Sequence, residues 1–380
     1  MKIIVALDSF KGSCTATQAC AAVKRGMVNF CADAQVIELP IADGGEGLIE
    51  ALWPSLSAQG YRLQAITVTG PYLQPTTCNL LLKDEHCIIE MAQCSGLTLQ
   101  APEKRRAREA TTFGLGQAVK YALNLGCRRF SIGLGGSATN DGGAGFVQAL
   151  GCKFFSADGT PITRPLCGGD LINLGRIDAS SLCPKLQECT FIGTCDVSNP
   201  LLGANGATAI FGPQKGLVDN DLELLEQGMK NYATLLGDVG REYVDKPGAG
   251  AAGGMGFALS WACQAQLKSG IDEVLNLVHI DDMLPGTNLV IVGEGRMDSQ
   301  SCQGKAPVGV ARRAKKFDLP VVALCGALAD DARAVYSCGI DAMFSICPRP
   351  MPLEQSMADS EHLLQQAAEN IVRLFALGRA

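Results

Sequence analysis

The feature that most limits the fold of this chain is a repeated pattern, in which a short apolar run is followed at once by a glycine-rich polar loop. The run FSIGL, residues 130–134, leads into GLGGSATNDGGAG, residues 133–145, where six of thirteen residues are Gly. Uninterrupted apolar runs are typical of strands buried on both faces of a parallel sheet. In open α/β sheets, ligands bind beyond the carboxyl ends of such strands. The pattern therefore predicts an α/β fold whose functional site is built from strand-end loops.

Helical patterns alternate with these runs along much of the chain. The predicted strands cover residues 2–7, 35–40, 128–134, 288–295 and 319–326. The predicted helices cover residues 16–27, 47–53, 112–126 and 306–317. Thr15 and Gln18 fit a capping box before the first of these helices, and Pro307 fits the first turn of the last. This alternation predicts a mainly parallel sheet.

The middle of the chain has a different, β-rich pattern. Strands are predicted in residues 65–71, 76–82 and 86–91, with a hairpin across the last two. Residues 153–163 contain an Asp-Gly turn that we expect to lie between two short strands. This mixture predicts a second domain with its own sheet.

We therefore expect two domains. A discontinuous Rossmann-like parallel-sheet domain would comprise residues 1–60 and 285–380, with 105–145 as a further candidate segment, and a mixed α/β domain at residues 61–284 would be inserted into it. The glycine-rich segment 247–256 fits either a hinge or a stretch of close helix packing, and we favour the packing interpretation. We also expect a loop at residues 347–352 before a C-terminal helix.

Composition excludes several classes of function. The net charge is −6 and no basic stretch is present, so nucleic acid is not an expected partner. No segment approaches the length of a membrane-spanning apolar run, and membranes are not expected partners either. The 17 Cys residues are never closer than six positions, which rules out CxxC pairs and favours buried thiols in a reduced, cytoplasmic protein.

The loop at 133–145 has more than one interpretation. Gly133, Gly135 and Ala138 match a relaxed dinucleotide fingerprint, but the acidic residue expected about 20 positions later would be Asp158, which lies in a turn. No Lys follows the glycines, so this is not a Walker loop. The remaining interpretation is a set of backbone N–H groups that binds an anion, extended by the side chains of Ser137, Thr139 and Asn140. Asp141 fits equally well as a helix cap or as an active-site carboxylate.

Lysines and carboxylates recur in the other glycine-rich loops. The lysines are Lys11, Lys215 and Lys305, each next to a Gly. The carboxylates are Asp8, Asp43, Glu46, Asp141, Asp196, Glu294 and Asp298. All three His residues lie outside these loops, which disfavours Ser-His-Asp hydrolysis. Lysines and carboxylates without an arranged nucleophile are typical of phosphoryl transfer assisted by Mg²⁺.

These motifs together resemble a known family. The stretches DSFKGS, ADGGEG, TTFGLGQ, IGLGGSATNDGGAG, CDVSNPLLG, FGPQKG, PGAGAAGG and GEGRMDSQSCQGKAPVGVARRAK occur in the order and spacing of the bacterial glycerate kinases, the type I glycerate 2-kinase family. The resemblance runs from Lys2 to about Gly326. It implies phosphorylation of D-glycerate to 2-phosphoglycerate by ATP and Mg²⁺, in glyoxylate, glucarate and galactarate catabolism. It also implies two α/β domains with the active site in the cleft between them.

The resemblance carries specific expectations about the site. We expect Lys11 and Lys305 to clamp phosphates, Arg296 to hold the carboxylate of glycerate, and Asp196, or failing that Asp298, to be the catalytic base. Mg²⁺ ligands are expected among Asp8, Asp43, Asp196 and Glu294, with Asp8 and Glu294 favoured. The further substrate- or phosphate-binding positions are Ser9, Asp43, Ser137, Thr139, Asn140, Asp141 and Lys215. Cys14 and Cys325 depart from the family's aliphatic or small residues, in apolar contexts that bear little on catalysis.

Several alternatives stay open at the level of sequence. Phosphorylation of the 3-hydroxyl would give 3-phosphoglycerate with the same side chains. A non-catalytic protein that binds a small anion, or a dinucleotide-dependent oxidoreductase, would be a different class of function. The chain could act as a monomer or as a homodimer.

Overall fold

The computed structural model describes residues 1–378, apart from the side chain of Gln303. The chain divides into two compact units. Unit 1 comprises residues 1–43, 50–59 and 269–380, and unit 2 comprises residues 44–49 and 60–268. Each unit contains its own sheet and is described separately below.

The strands and helices follow one another in a mixed α/β order. The strands are β1 Lys2–Leu7, β2 Gln35–Glu38, β3 Arg62–Thr69, β4 Pro75–Lys83, β5 His86–Glu90, β6 Arg129–Gly133, β7 Lys153–Ser156, β8 Leu174–Asp178, β9 Thr190–Thr194, β10 Gln266–Lys268, β11 Leu289–Met297, β12 Val321–Leu328 and β13 Ala342–Ser345. The helices are α1 Ala16–Phe30, α2 Leu48–Ala58, α3 Met91–Ser95, α4 Phe113–Asn124, α5 Ala144–Ala149, α6 Ala207–Phe211, α7 Asp219–Leu235, α8 Asp238–Tyr243, α9 Ala251–Cys263, α10 Gly270–Leu277, α11 Ile280–Met283, α12 Ala306–Lys315, α13 Leu353–Ala358 and α14 Ser360–Leu377.

Unit 1 is built on a five-stranded parallel sheet with the order β13-β12-β11-β1-β2. Residues 3–7 of β1 are fully buried, as expected of a central strand covered on both faces. The chain passes from β1 to β2 on one side and later returns to β11 on the other side of β1. The strand order therefore reverses between β1 and β11, which is the position where open α/β sheets bind ligands.

Unit 2 contains a six-stranded mixed sheet with the order β10-β9-β6-β5-β4-β3. The neighbours from β10 to β5 are parallel, whereas β5, β4 and β3 form an antiparallel meander. A separate two-stranded sheet pairs β7 with β8. The predicted α/β class, with one parallel and one mixed sheet, is confirmed.

Most of the local predictions agree with the structure. Thr15 and Gln18 form the expected capping box at the start of α1. The hairpin joins β4 to β5, and Pro307 lies in the first turn of α12. The Asp-Gly turn at 158–159 forms, but residues 161–163 are not a strand: β7 pairs with the distant β8, and only an isolated bridge joins Phe155 to Pro161. The local segment still bonds to β7, since the Ser156 N–H donates to the Thr160 carbonyl and the Ile162 N–H donates to the Phe154 carbonyl, but the pairing is too short to form a second strand.

The glycine-rich segment 247–256 is a site of close packing. Ala252, Gly253 and Gly254 have positive φ values, which break the regular start of α9. A Cβ on Gly253 would lie 2.0 Å from the carbonyl oxygen of Thr139, and one on Gly254 would lie 2.6 Å from the Cα of Gly142. Only glycine allows this approach, so the segment fits directly against the loop at 133–145. Among residues 1–378, no helix is long and apolar enough to cross a membrane.

Candidate active site

Unit 1 has a polar pocket at the carboxyl ends of β1, β11 and β12, where the strand order reverses. Its volume is about 450 Å³. The ionisable side chains that line it are Asp8, Lys11, Asp43, Glu294, Arg296, Asp298 and Lys305, and Ser9 lies beside them. The structure therefore brings every site residue predicted in unit 1 to one pocket.

Burial raises the pKa values of two carboxyl groups in this pocket. The pKa of Asp8 is raised to about 7, mainly by burial and also by the nearby charges of Asp43 and Glu294, against the bond from the Ser9 N–H and the charge of Lys11. Burial is also the main reason why the pKa of Glu294 is raised. Carboxylates held close together at low solvent exposure favour protonation or a bound cation.

Lys305 is the centre of a network at the start of α12. Its Nζ lies 3.4 Å from Asp298 Oδ1 and 3.6 Å from Glu294 Oε2. The hydroxyl of Ser301 donates to Glu294 Oε1 at 2.6 Å, and Asp298 caps the short 3₁₀ turn at Ser299–Gln303. These contacts fix the Lys305 ammonium beside the free N–H groups of α12, a position that suits an anion.

The residues of this pocket fit a Mg²⁺ ion. Within residues 1–378 no group of three or more His, Cys, Asp or Glu residues is arranged as a complete metal cage. Mg²⁺ does not require one, because it keeps several waters and takes one or two carboxylates together with substrate phosphates. Asp8 provides a suitable ligand because two other carboxylates already destabilise its charged form.

The pocket also has an apolar wall that sequence reasoning missed. Phe10, Ile346, Leu353 and Met357 line it together with Gly326 and Ala327. The α13 helix is attached to the loop after β1 because the Ser13 hydroxyl donates to the Met357 carbonyl at 2.6 Å. Leu353 and Met357 lie beyond the recognised motifs, which end near Gly326, so no sequence signal connected them to the site.

In unit 2, the loop after β6 is shaped by glycines at positive φ. Gly136, Gly142 and Gly143 have φ values of 72°, 62° and 72°. A Cβ on Gly135 would lie 2.3 Å from the Cα of Gly45, so the loop also packs against the ADGGEG segment. The loop is therefore tightly held, and its polar side chains Ser137, Thr139 and Asn140 are buried.

The side chain of Lys215 reaches this loop from the turn Pro213–Lys215. Its Nζ donates to Ser137 Oγ at 2.8 Å and to the Thr139 carbonyl at 2.7 Å, and the side chain is only 2% exposed. Burial lowers the pKa of Lys215 to about 7, against the charge of Asp141. The structure thus brings Lys215 and the 137–141 segment together, with the ammonium directed at protein acceptors.

Asp141 is fully buried and accepts four hydrogen bonds. Oδ2 accepts from the Thr112 N–H and hydroxyl, both at 2.8 Å, and from the Gly145 N–H at 3.3 Å. Oδ1 accepts from the Gly143 N–H at 3.1 Å. Burial raises the pKa of Asp141, and these bonds oppose the rise. Of the two sequence interpretations, the contacts match the helix cap, since Asp141 ties the starts of α4 and α5 together.

The remaining predicted positions of unit 2 have different surroundings. The Asn140 amide donates to the hydroxyl of Thr208 at 3.0 Å, and both residues are buried. Asp196 is exposed in the loop after β9. Glu90, which sequence reasoning missed, accepts from the N–H groups of Gly47 and Ile49 at the start of α2. Its position at the end of the apolar strand HCIIE was the signal that could have identified it.

The parallel sheet, the strand-end loops and the pocket of lysines and carboxylates have the features of a phosphotransferase. Comparison with known proteins identifies the family. The sequence profile of the glycerate kinase family matches residues 3–376. The chain is 42% identical to a glycerate kinase of Bacillus subtilis (strain 168), with 100% of this chain and 99% of that protein covered. It is also 42% identical to a glycerate 2-kinase of Escherichia coli (strain K12), with the same coverage.

A solved structure agrees with these matches. The fold superposes on glycerate kinase 2 from Salmonella typhimurium LT2 with a TM-score of 0.85, at 38% identity, over 100% of this chain and 99% of that one. The chain belongs to the glycerate kinase family, and it is an enzyme of the kinase class.

Proposed function

We propose that this enzyme transfers the γ-phosphoryl group of ATP to the 2-hydroxyl of D-glycerate. The observation that carries the proposal is the unit 1 pocket, in which Lys11, Lys305 and Arg296 lie beside several carboxylates at the point where the sheet order reverses. Phosphoryl transfer depends mainly on positioning and on screening of phosphate charge, and this set of side chains can do both. The E. coli relative that is named a glycerate 2-kinase favours the 2-hydroxyl.

The cations of the pocket have separate proposed roles. Lys305, fixed by Asp298 and Glu294 at the start of α12, holds phosphate oxygens together with Lys11. Arg296 extends from β11 and is exposed, which leaves its guanidinium available for the carboxylate of glycerate. A planar guanidinium binds a carboxylate through two parallel hydrogen bonds.

Asp8 and Glu294 would hold Mg²⁺, with Asp43 as a third candidate. The ion would screen the charge of the phosphate oxygens and orient them. Ser9 keeps the Asp8 carboxylate in place, since its N–H donates to Asp8 Oδ1 at 2.6 Å. Glu294 is held by the Ser301 hydroxyl in the same way.

The unit 2 positions are proposed to bind an anionic group of a substrate. Ser137, Thr139, Asn140, Asp141 and Lys215 form one connected set, in which Lys215 bonds to two loop residues and Asp141 fixes the loop's end. The hydroxyl of Thr139 and the side-chain oxygen Oδ1 of Asn140 have no partner among the described residues. The hydroxyl can donate to an anionic group, and Oδ1 can accept from a hydroxyl of the same ligand.

The product test separates the candidate functions. We expect purified enzyme, ATP, Mg²⁺ and D-glycerate to give 2-phosphoglycerate in a phosphorus NMR spectrum, together with ADP. A 3-phosphoglycerate signal would change the assigned hydroxyl. Binding of D-glycerate without ADP release would support the anion-binding alternative and contradict the kinase proposal.

Asp196 is our first choice for the base that accepts the proton of the attacking hydroxyl, and Asp298 is the second. Asp298 already caps a turn and lies near Lys305, whereas Asp196 is exposed. Asp196→Asn should lower kcat by about 10²-fold or more. Asp245→Asn, an exposed carboxylate elsewhere in unit 2, is the matched control. If neither Asp196→Asn nor Asp298→Asn lowers kcat while the fold is intact, the base is another group.

A further inference from the structure

We propose that the apolar half of the unit 1 pocket is a nucleoside subsite, in which the base of the phosphoryl donor contacts Leu353 and Met357 on α13. This inference rests on the proposed kinase function and adds to it, because it assigns the nucleoside to one end of one pocket. None of the motifs that indicated the function includes α13.

The size of the pocket favours the nucleotide over the acceptor. Ligand sites bury most of their ligand's surface, and volumes of about 300–1,000 Å³ suit drug-sized molecules. The unit 1 pocket, at about 450 Å³, would leave a three-carbon acid in contact with only a small part of its wall. A nucleoside with its attached phosphates is large enough to reach both ends.

The chemistry of the wall changes from one end to the other. The carboxylates and lysines come from the strand ends of β1 and β11 and from the start of α12. The apolar side chains come from the C-terminal part of the chain, and Leu353 is 73% exposed although it is a leucine. A purine is a flat apolar surface with polar edges, and the hydroxyls of Ser356 and Ser360 line the same pocket. The exposure of Leu353 is explained if the base of a bound nucleotide covers this side chain.

The position of α13 is fixed, which a binding wall requires. The hydroxyl of Ser13 donates to the Met357 carbonyl, and a Cβ on Gly12 would lie 2.9 Å from the Met357 methyl carbon. The same loop, 8–13, also carries Asp8 and Lys11. One loop therefore connects the polar end of the pocket to α13, so that a single nucleotide can contact both.

The test compares two exposed leucines. Leu353 and Leu377 are 73% and 76% exposed, so neither substitution should disturb the core, and Leu377 lies outside the pocket. We expect Leu353→Asp to weaken ADP binding, measured by calorimetry, by at least about tenfold, the loss expected when one leucine contact is removed. Leu377→Asp should leave ADP affinity unchanged. Adenosine alone should compete with ATP in the wild type and lose this ability in Leu353→Asp.

A positive charge introduced at position 353 distinguishes a contact with the base from a contact with the phosphates. If a base lies on Leu353, then Leu353→Lys weakens ADP binding as well. If Leu353→Lys strengthens it, the phosphates lie there and the inference is overturned. Photolabelling with 8-azido-ADP should modify the peptide that contains Leu353 and Met357, and labelling confined to unit 2 would overturn the inference.

The proposed function and this inference can fail separately. If the wild type makes no phosphoglycerate with any nucleotide, the kinase assignment of the substrate is wrong. If the wild type is active, but Leu353→Asp changes the KM for D-glycerate and leaves ADP affinity unchanged, only the nucleoside subsite is wrong.

Discussion

The two units use the same residue types in opposite ways. In unit 1, the lysines and carboxylates after β1 and β11 line an open pocket, and Lys305 keeps a third of its side chain exposed. In unit 2, Lys215 and Asp141 are buried and bonded to protein groups, Lys215 to the 133–145 loop and Asp141 to the starts of α4 and α5. A glycine-rich loop with polar residues is thus a site of ligand access in one unit and a tightly bonded interior segment in the other.

The difference between the two units shows what determines whether a glycine-rich loop is buried or open to a ligand. The 133–145 loop is covered because glycines at 253 and 254 allow α9 to approach its backbone closely. Beside the unit 1 pocket, the nearest atom to a Cβ added on Gly295 is 3.5 Å away, and the backbone that comes close to the Gly295 carbonyl is that of Gly326 in the neighbouring strand β12. Polar side chains in the covered loop must form hydrogen bonds with other protein groups, whereas the polar side chains of the pocket can bind a ligand.

The largest expected effect comes from Lys305. Lys305→Met removes the cation that two carboxylates and the start of α12 position in the pocket. We expect kcat/KM for ATP to fall by about 10²- to 10³-fold, the usual loss when one fixed group that stabilises transition-state charge is removed. Steady-state kinetics with a coupled ADP assay measure the effect.

Lys316→Met is the control for Lys305→Met, because Lys316 is an exposed lysine at the end of the same helix. It should retain wild-type kinetics. A Lys305→Met enzyme with unchanged kcat/KM would show that the unit 1 pocket is not the phosphate site. The open pocket of unit 1 would then differ from the buried loop of unit 2 in solvent exposure but not in phosphate binding.

Asp141 should matter first for stability. Asp141→Asn places an amide group where donors of α4 and α5 already point, so buried N–H groups lose acceptors. We expect the free energy of unfolding to fall by roughly 2–4 kcal/mol, in the range for broken buried hydrogen bonds. Urea unfolding, followed by circular dichroism, measures this change.

The matched comparison is Asp298→Asn in unit 1, where the carboxylate is partly exposed and caps only a short turn. Its cost should be below about 1 kcal/mol, because Asn caps a helix start about as well as Asp. If Asp141→Asn is as stable as the wild type but inactive, Asp141 is an active-site carboxylate and the cap interpretation is wrong.

Much of the fold could be predicted from the sequence, since apolar runs and caps are local signals. The capping box at Thr15 and the buried strand β1 are of this kind. The pairing of β7 with β8 could not be predicted, because it joins segments whose contact depends on the whole unit. The clustering of Asp8, Lys11, Glu294 and Lys305 followed from the rule that parallel strands end at one edge.

The environment of each site residue was less predictable. Sequence patterns identified Lys215 and Asp141 as polar loop residues, but their burial depends on packing by the distant segment 247–256. Leu353 and Met357 could not be connected to the pocket, because an apolar residue on a short helix carries no local sign of a ligand. The roles of the site residues in catalysis stay predictions until the variants are measured.

The smallest expected effect concerns the pH dependence of stability through Lys215. Its pKa is about 7 in the folded protein, against an ordinary value of 10.5. Above pH 7 the unfolded chain therefore binds a proton that the folded chain does not, and the free energy of unfolding rises with pH. The contribution is about 1 kcal/mol per pH unit from just above pH 7. Urea unfolding of the wild type and of Lys215→Met at pH 7, 8 and 9 would show it as a difference between the two slopes, because buried thiols with raised pKa values, such as Cys20 and Cys152, contribute a slope of the opposite sign to both proteins.

Lys215→Met should remove this slope, because methionine has no proton to lose. Lys230→Met, at an exposed position on α7, should keep it. Lys215→Met also loses the bonds to Ser137 and the Thr139 carbonyl, which lowers its stability by a similar amount at every pH and adds no slope of its own. An unchanged slope in Lys215→Met would mean that water or another group solvates the ammonium, and that the loop of unit 2 is as open as the pocket of unit 1.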